Sequence, residues 1–471
     1  MSSAGFASPH GRLADRIARH LQDPERVRHF DQAVYSIEEH RERAAAMMPG
    51  WEDLRRRAAA IKAHTLDHLH RYVTQFADSA EKAGARVHFA EDALEANRIV
   101  HELCTAENAR KIVKSKSMTT EECGLNGYLE ARGIEVTDTD LGERIVQLLG
   151  QPPSHIVGPA IHCTRGEIGE LFARVIGTPA GETDPVRLAA AARQHLRQHF
   201  LDAELGITGV NFAVAETGTI VVVENEANSL LSTSLPRVHV AVMGLEKVVP
   251  TMADVSVLLR LLARSATGQR ITVYTTHYTG PQARGPEETG VPERELHIVL
   301  LDSGRTRVLK DAEHRSALGC IRCGACLNTC PVYRRSGGQA YGWAYPGPIG
   351  SVLAPAMRGH ASGDEMPFAS SLCGSCTAVC PVKIDLHEQL LRWRRRLVEE
   401  GRRPKALPGL AAWLLLHPRL YRWATAAARA GWPALRPLMR DWRHPVDGCD
   451  SRALPEPARQ TFHSWWRENR G

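Results

Sequence analysis

The chain has 471 residues, 43% of them hydrophobic and 24% charged, with a formal net charge of +6. At ~150 residues per domain this suggests about three packed domains, and the apolar content excludes wholesale disorder. The charge is too mild to argue for a nucleic-acid partner. The informative feature is the eleven cysteines, seven of them from Cys320 to Cys380 and only Cys104, Cys123, Cys163 and Cys449 elsewhere. Disulfide frameworks spread through small secreted domains, so this clustering points to metal ligation. The N-terminal stretch lacks an apolar signal-peptide core. The longest apolar run, residues 410–416, is far short of the ~20 residues of a membrane span. A cytoplasmic metal-binding protein is expected.

Residues 1–80 read as a helical extension. Trp51, Leu54, Ala58, Ile61, Leu66, Leu69, Val73 and Phe76 recur at three- and four-residue spacing, and Pro49-Gly50 separates this helix from an earlier one. From 81 to 308, short β-branched runs alternate with amphipathic stretches. Strands are predicted at 86–89, 112–114, 134–137, 155–158, 210–215, 219–224, 238–243, 271–275 and 296–301. Helices are predicted at 93–104, 121–132, 167–175, 185–205 and 252–262. This alternation implies βαβ crossovers and a mainly parallel sheet covered on both faces. The runs 211–215 and 219–224 are too close for a crossover helix, so a hairpin through Glu216-Thr217-Gly218 is expected. The sheet pattern stops near 308. Residues 309–395 carry the cysteine clusters, and 396–471 form a basic C-terminal region. From residue 391 onward 17 Lys and Arg face 7 Asp and Glu, net +10, so the preceding body is net −4. Seven of the nine tryptophans lie in that same stretch.

The first cysteine run is Cys320-Ile-Arg-Cys323-Gly-Ala-Cys326-Leu-Asn-Thr-Cys330-Pro331. It matches the C-x2-C-x2-C-x3-C-P run of bacterial ferredoxins, in which one loop wraps an iron–sulfur cube. Gly324 removes a Cβ where backbone approaches sulfur, and Pro331 sets the exit of the chain. Zinc sites usually close with two cysteine pairs or with histidine, which this spacing does not offer. The second run, Cys373-Gly-Ser-Cys376-Thr-Ala-Val-Cys380-Pro381, lacks a first cysteine, and Ser370 stands at that position. In two-cluster proteins the fourth cysteine serves the other cluster. Cluster one is then expected on Cys320, Cys323, Cys326 and Cys380, and cluster two on Cys330, Cys373 and Cys376. Three thiolates suit a [3Fe–4S] centre or a [4Fe–4S] centre with one non-cysteine ligand, from Ser370 or from a residue farther away, and the sequence leaves these open. Arg322, Arg334 and Arg335 flank the ligands, where positive charge would raise a cluster potential. The remaining cysteines are expected to be ordinary thiols, with Cys163 beside His162 a candidate nucleophile or ligand.

Within the α/β region three stretches fall at predicted strand ends, where open sheets place ligands. They are Lys114-Ser115-Lys116-Ser117-Met118, Glu216-Thr217-Gly218-Thr219, and Leu235-Pro236-Arg237-Val238-His239 running on to Gly244-Leu245-Glu246-Lys247. The lysines and serines suit an anion, and Glu216 is a candidate carboxylate base or nucleophile. His162 and His239 are read as structural. No G-x-G-x-x-G, Walker-type or H-E-x-x-H motif occurs, so a complete substrate-oxidising enzyme is not expected on this chain.

These stretches together resemble the lactate-utilisation (LUD) domain. With the two cysteine runs, nearly the whole chain resembles the lactate utilisation B family of iron–sulfur subunits. The resemblance implies an α/β LUD domain of the NagB/RpiA/CoA-transferase-like group, an α-helical ferredoxin domain like that of succinate dehydrogenase-type subunits, and a helical C-terminal tail. It implies two [4Fe–4S] clusters on the seven cysteines named above. It also implies electron transport from L-lactate to pyruvate with two partners, a Cys-rich redox subunit and a second LUD-domain protein. No lactate-oxidising residue carries over, and a quinone or another carrier would accept the electrons. Two alternatives are a LUD domain that binds or acyl-transfers a metabolite with the clusters as a redox switch, and a redox subunit for another 2-hydroxy acid. In the tail, Trp413, Tyr421, Trp423, Trp432 and Trp442 among arginines suit packing on the ferredoxin module, a protein partner, or peripheral contact with the inner face of the membrane.

Overall fold

The computed structural model describes residues 12–283, 293–358, 363–402, 412–439, 458 and 460–470. Cys449 and Trp442 lie outside the described residues. The chain divides into a unit Met1–Arg394 and a unit Arg395–Gly471.

The first unit opens with four helices, α1 (Leu13–Leu21), α2 (Pro24–Ala46), α3 (Trp51–Asp67) and α4 (Leu69–Lys82). Asp23 caps α2 by accepting from Arg26 N, and Gly50 at φ +71° turns the chain into α3. Among the described residues ten strands follow: β1 (Arg86–Ala90), β2 (Lys111–Lys114), β3 (Glu135–Asp138), β4 (Leu205–Gly209), β5 (Phe212–Val214), β6 (Thr219–Glu224), β7 (Val238–Gly244), β8 (Val248–Val249), β9 (Tyr274–Tyr278) and β10 (Glu295–Leu301). Six form an all-parallel sheet in the order β1-β10-β7-β4-β2-β3. Its inner strands, such as Val238–Gly244, are buried along their whole length, as a sheet covered on both faces requires. One face packs on the helices Ala93–Ala106, Met118–Cys123 and Leu125–Glu130 through Val100, Cys104, Leu125 and Leu129. The other packs on α4 and a four-stranded sheet of order β8-β5-β6-β9 through Phe76, Ile220, Met243 and Ile298. The hairpin through residues 216–218 is present, with Phe212 opposite Val221.

Several sequence expectations are corrected. Residues 155–158 form a loop, because the backbone N–H groups of Val157 and Gly158 donate to His155 Nδ1 rather than to a neighbouring strand. The helix expected to reach 205 ends at Leu201, and Leu205–Gly209 becomes a central strand. The strand expected at 210–215 is present but shorter, Phe212–Val214. Asn211 precedes it, its side chain accepting from Val223 N, and the chain changes sheets there. The helix expected at 121–132 divides at Gly124, whose φ of +63° favours glycine. The strand expected at 271–275 lies at Tyr274–Tyr278.

The cysteine region shares one continuous core with the N-terminal helices and the small sheet. Phe30 and Val34 of α2, Leu54 and Leu66 of α3, Val221, Leu258, Leu318, Leu327, Tyr333 and Leu353 all belong to it. The Gly/Pro-rich stretch between the cysteine runs is a packed strap in which Tyr341, Trp343 and Tyr345 are buried. In the second unit, Pro418–Met439 and Phe462–Arg470 are helical, and Trp413, Trp423, Trp465 and Trp466 are exposed. Trp393, in the first unit, is buried and donates to Val352 O at 2.9 Å. No described helix is long and apolar enough to cross a membrane.

Candidate iron–sulfur site and the adjoining cavity

The two cysteine loops are built alike. Arg322 at φ +60° precedes Cys323, and Leu372 at φ +56° precedes Cys373. Gly324 (+78°) and Gly374 (+83°) follow those cysteines, and each opens a short helix, Ala325–Asn328 or Ser375–Val379, carrying the next cysteine. Cys330-Pro331 and Cys380-Pro381 close the loops. A Cβ at Gly324 would lie 3.2 Å from His155 Cε1, so the first loop is packed tightly against the 155–158 loop. Across the loops, the Thr329 and Ser375 hydroxyls are hydrogen-bonded to each other.

Electrostatic coupling shows which thiols are neighbours. Cys323 senses Cys320 and Cys380, and Cys326 senses Cys320, Cys323, Cys376 and Cys380. Cys330 senses Cys373, and Cys376 senses Cys330 and Cys373. Burial pushes the Cys376 thiol up to about 12 and the Cys380 thiol up to about 11, and neighbouring cysteines add to the rise. Cys323, Cys326, Cys330, Cys376 and Cys380 are buried, Cys320 is half-buried and Cys373 is exposed. Backbone N–H groups point at sulfur, from Arg322 to Cys320 at 3.4 Å, Tyr333 to Cys330 at 3.5 Å and Ile384 to Cys380 at 3.4 Å. Buried thiols that are costly to ionise alone, with N–H donors aimed at them, suit metal ions that replace the protons. The donor set therefore fits iron–sulfur clusters.

The N-terminal helices, which carry no recognisable motif, hold these loops. Arg55 donates to Cys380 O at 3.1 and 2.8 Å and to Ala378 O, and Arg41 donates to Val379 O at 3.0 Å. Of the flanking arginines, Arg334 is tied to Asp31 and Glu38 of α2, and Arg335 is exposed. Arg322 is buried. Its Nη2 lies 3.2 Å from Glu246 Oε1, and its guanidinium stacks on Tyr345 at 4.3 Å.

Glu246 is the clasp between the sheet and the first cysteine loop. Its Oε2 accepts from Arg305 Nε at 2.5 Å, and Lys62 Nζ donates to its backbone carbonyl at 2.7 Å. Arg305 makes a bidentate pair with Glu122, which also accepts from Tyr345 Oη. Burial alone would raise the Glu246 carboxyl, but Arg305 and Arg322 outweigh it and hold it at about 2. A Cβ at Gly244 would fall 2.1 Å from Glu246 Oε2, so glycine is required there. Lys62 and Glu122 lie far from the cluster cysteines in sequence, and no pattern in the chain flags them or Arg305.

Beside this clasp lies a cavity of about 550 Å³ at the C-terminal ends of the sheet strands. Lys116, Asp140, Glu224, Glu226, Lys247 and Arg322 contribute its charges. The three carboxylates accept from backbone N–H groups at helix starts, Asp140 from Glu143, Glu224 from Ser229 and Leu230, and Glu226 from Leu141. Lys116 pairs with Asp140 at 3.0 Å. Lys247 has no hydrogen-bond or ion-pair partner among the described residues, and Arg322 Nε and Nη1 are likewise unpartnered. Burial, and next the Arg322 charge, push the Lys247 ammonium down to about 8.

The other candidates from the sequence fall elsewhere. Lys114 is fully buried and bound to Glu121, Asp138 and Glu143 at 3.1, 2.7 and 3.3 Å, so it offers nothing to an anion. Glu216 is exposed at the opposite end of β6 and accepts from Met252 N, at the start of the helix Met252–Thr267. That contact caps the helix, and it lies away from the cavity described above. Arg237 pairs with Glu107 and Glu295 at the N-terminal edge of the sheet. His239 bonds Thr208 Oγ1 and His162 bonds Ser154 Oγ, and burial holds them at about 3 and 4, as structural histidines. Cys163 is pushed up to about 11 by burial, which does not suit a nucleophile. Cys104 and Cys123 are buried core thiols.

Comparison with known proteins agrees with this geometry. The family model described as LUD domain matches residues 73–301, and that described as 4Fe-4S dicluster domain matches 316–384. Lactate utilization protein B of Oceanobacillus iheyensis is 46% identical over 435 residues, covering 90% of this chain and 89% of that one. This chain belongs to the lactate utilization protein B family. The protein of that name from Shouchella clausii is 43% identical over 97% of this chain and 96% of its own. An Escherichia coli K12 protein named uncharacterized electron transport protein YkgF is 42% identical, with 96% of each chain covered. Among solved structures, a DUF162 family protein from Deinococcus radiodurans aligns with a TM-score of 0.27 and 15% identity, over 50% of this chain and 98% of that one. That likeness carries no argument about fold.

Proposed function

We propose that this chain is the iron–sulfur electron-transfer subunit of a multi-subunit system that oxidises L-lactate to pyruvate in the cytoplasm. The observation that carries the reading is the pair of matching cysteine loops, coupled across each other and buried in one core with the LUD domain. Cys320, Cys323, Cys326 and Cys380 would hold one cluster, and Cys330, Cys373 and Cys376 the other, with a Cys-rich redox subunit and a second LUD-domain protein as partners. Bound clusters of this kind accept and donate one electron at a time. Arg41 and Arg55 hold the second loop on the N-terminal helices, and the Glu246 clasp holds the first against the sheet. We assign the α/β body to the NagB/RpiA/CoA-transferase-like group. Deleting the gene in a host without another lactate dehydrogenase should abolish growth on L-lactate, and unimpaired growth would refute the reading.

The cavity favours a second, compatible reading in which the LUD domain binds an organic acid anion beside the first cysteine loop. Lys247, without a partner among the described residues, and the free Nε and Nη1 of Arg322 are suited to a carboxylate. Calorimetric titration of the full chain with L-lactate, pyruvate and glycolate tests this. Binding that Lys247→Gln abolishes supports it, and no binding of any of the three at millimolar concentration removes it.

A further inference from the structure

The two cysteine loops repeat each other over twelve residues, 320–331 and 370–381, with Ser370 in the place of Cys320. The repeat extends to the side chains. Cys320 Sγ accepts from the backbone N–H two residues on, Arg322 N, at 3.4 Å, and Ser370 Oγ accepts from Leu372 N, also two residues on, at 3.1 Å. The donating residue, Arg322 or Leu372, is itself left-handed in both loops, and so is the glycine after the next cysteine. The backbone thus carries the Ser370 hydroxyl to the position from which Cys320 addresses its site.

We propose that Ser370 Oγ is the eighth ligand, closing a four-iron cluster on Cys330, Cys373 and Cys376. The proposal rests on the iron–sulfur reading above. As ligand the hydroxyl loses its proton to solvent and forms one Fe–O bond, with no change of oxidation state. The loop is accessible enough for that proton to leave, since Cys373 is exposed and Ser370 half-buried. It is also held in place, because Arg394 donates to Ser370 O at 2.6 Å and to Pro367 O at 2.9 Å. Among the described residues the Ser370 hydroxyl has no acceptor for its own proton, so ligation breaks no existing hydrogen bond of that proton. The nearby alternative, His387, has both ring nitrogens engaged. Nδ1 bonds Thr377 Oγ1 at 2.8 Å and Nε2 lies 3.4 Å from Glu388 Oε1. An oxygen-bound iron at the exposed loop would differ from its seven all-sulfur neighbours in spectrum and potential.

The test is iron analysis with EPR and Mössbauer spectroscopy of the full chain, purified anaerobically as wild type, Ser370→Ala and Ser370→Cys. Wild type is expected to hold about eight irons, with one iron site distinct from the rest. Ser370→Ala should fall to about seven and show an oxidised [3Fe–4S] signal. Ser370→Cys should keep about eight and lose the distinct site. Wild-type iron content and spectrum in Ser370→Ala would overturn the proposal, as would a Ser370→Cys spectrum identical to wild type. If Ser370→Ala does not fold, the Ser370→Cys comparison alone decides. A wild-type chain holding only zinc would instead defeat the iron–sulfur reading itself, and a wild type with a stable seven-iron content would defeat Ser370 ligation alone.

Discussion

Glu246→Gln is the sharpest test of the clasp between sheet and cysteine loop. The substitution keeps the side-chain shape but removes the charge that faces Arg305 and Arg322. The wild-type carboxyl is held at about 2 against an ordinary 4.5. At about 1.4 kcal/mol per unit, that difference corresponds to ~3 kcal/mol of folded-state stabilisation, an order of magnitude for a fully buried group. The loss is expected to be of this size, because Arg305 keeps Glu122 whereas Arg322 is left beside Lys247 and Lys62 with no carboxylate. If the Met1–Arg394 unit unfolds as one, its 394 residues at ~2 cal/mol/K each give an unfolding entropy of ~0.8 kcal/mol/K. The midpoint should then fall by ~4 °C. The assay is anaerobic thermal unfolding of the full chain followed by circular dichroism. Because the folded pKa is depressed, the contribution is complete above pH 4.5 and is lost as pH falls from 4.5 toward 2. The difference between variant and wild type should therefore be constant from pH 8 to pH 5. A fall under ~1 °C, or a difference that grows across that range, would refute the reasoning.

Three further outcomes follow from buried groups elsewhere. Burial raises Glu143 to about 8, Lys114 opposing and Asp138 adding to the rise. The unfolded chain then ionises from pH 4.5 while the folded one stays protonated, and stability falls with rising pH between those values. Glu143→Gln should therefore gain over wild type as pH rises from 5 to 8 and equal it near pH 4.5, read as unfolding midpoints. His155, His162 and His239 are held neutral by burial, at about 4, 4 and 3. Their stabilisation is complete above 6.5 and is lost as pH falls, costing about 2 kcal/mol each by pH 5, and a flat midpoint from pH 7 to 5 would contradict this. A Cβ at Gly338 would lie 1.6 Å from Ser154 O, so Gly338→Ala should cost at least ~3 kcal/mol in the same melt, whereas Gly127→Ala, with open space, should cost nothing.

What the sequence by itself determined was what depends on local order along the chain. The cysteine spacing identified the cluster loops, because ligands three and four residues apart must share one turn of backbone. The apolar runs at 238–243 and 296–301 identified inner parallel strands, because only a strand covered on both faces is apolar throughout. The hairpin at 216–218 was legible from its length. The extents of the helix that ends at Leu201 and of the strand Leu205–Gly209 were not, since a short apolar run has no periodicity of its own. Nor was the loop at 155–158, whose backbone is satisfied by a histidine side chain.

Only the tertiary structure decided the rest, because it depends on residues hundreds of positions apart meeting in a dry interior. It brought Lys62, Glu122, Glu246, Arg305 and Arg322 into one buried network, and Arg41 and Arg55 onto the second cysteine loop. It turned Lys114 inward to three carboxylates and left Lys247 and Arg322 facing a cavity. It also showed that Ser370, which the spacing aligns with Cys320, accepts from the backbone N–H two residues on as Cys320 does. Charge partners in a low-dielectric core are chosen by distance in space, and spacing along the chain does not record that distance.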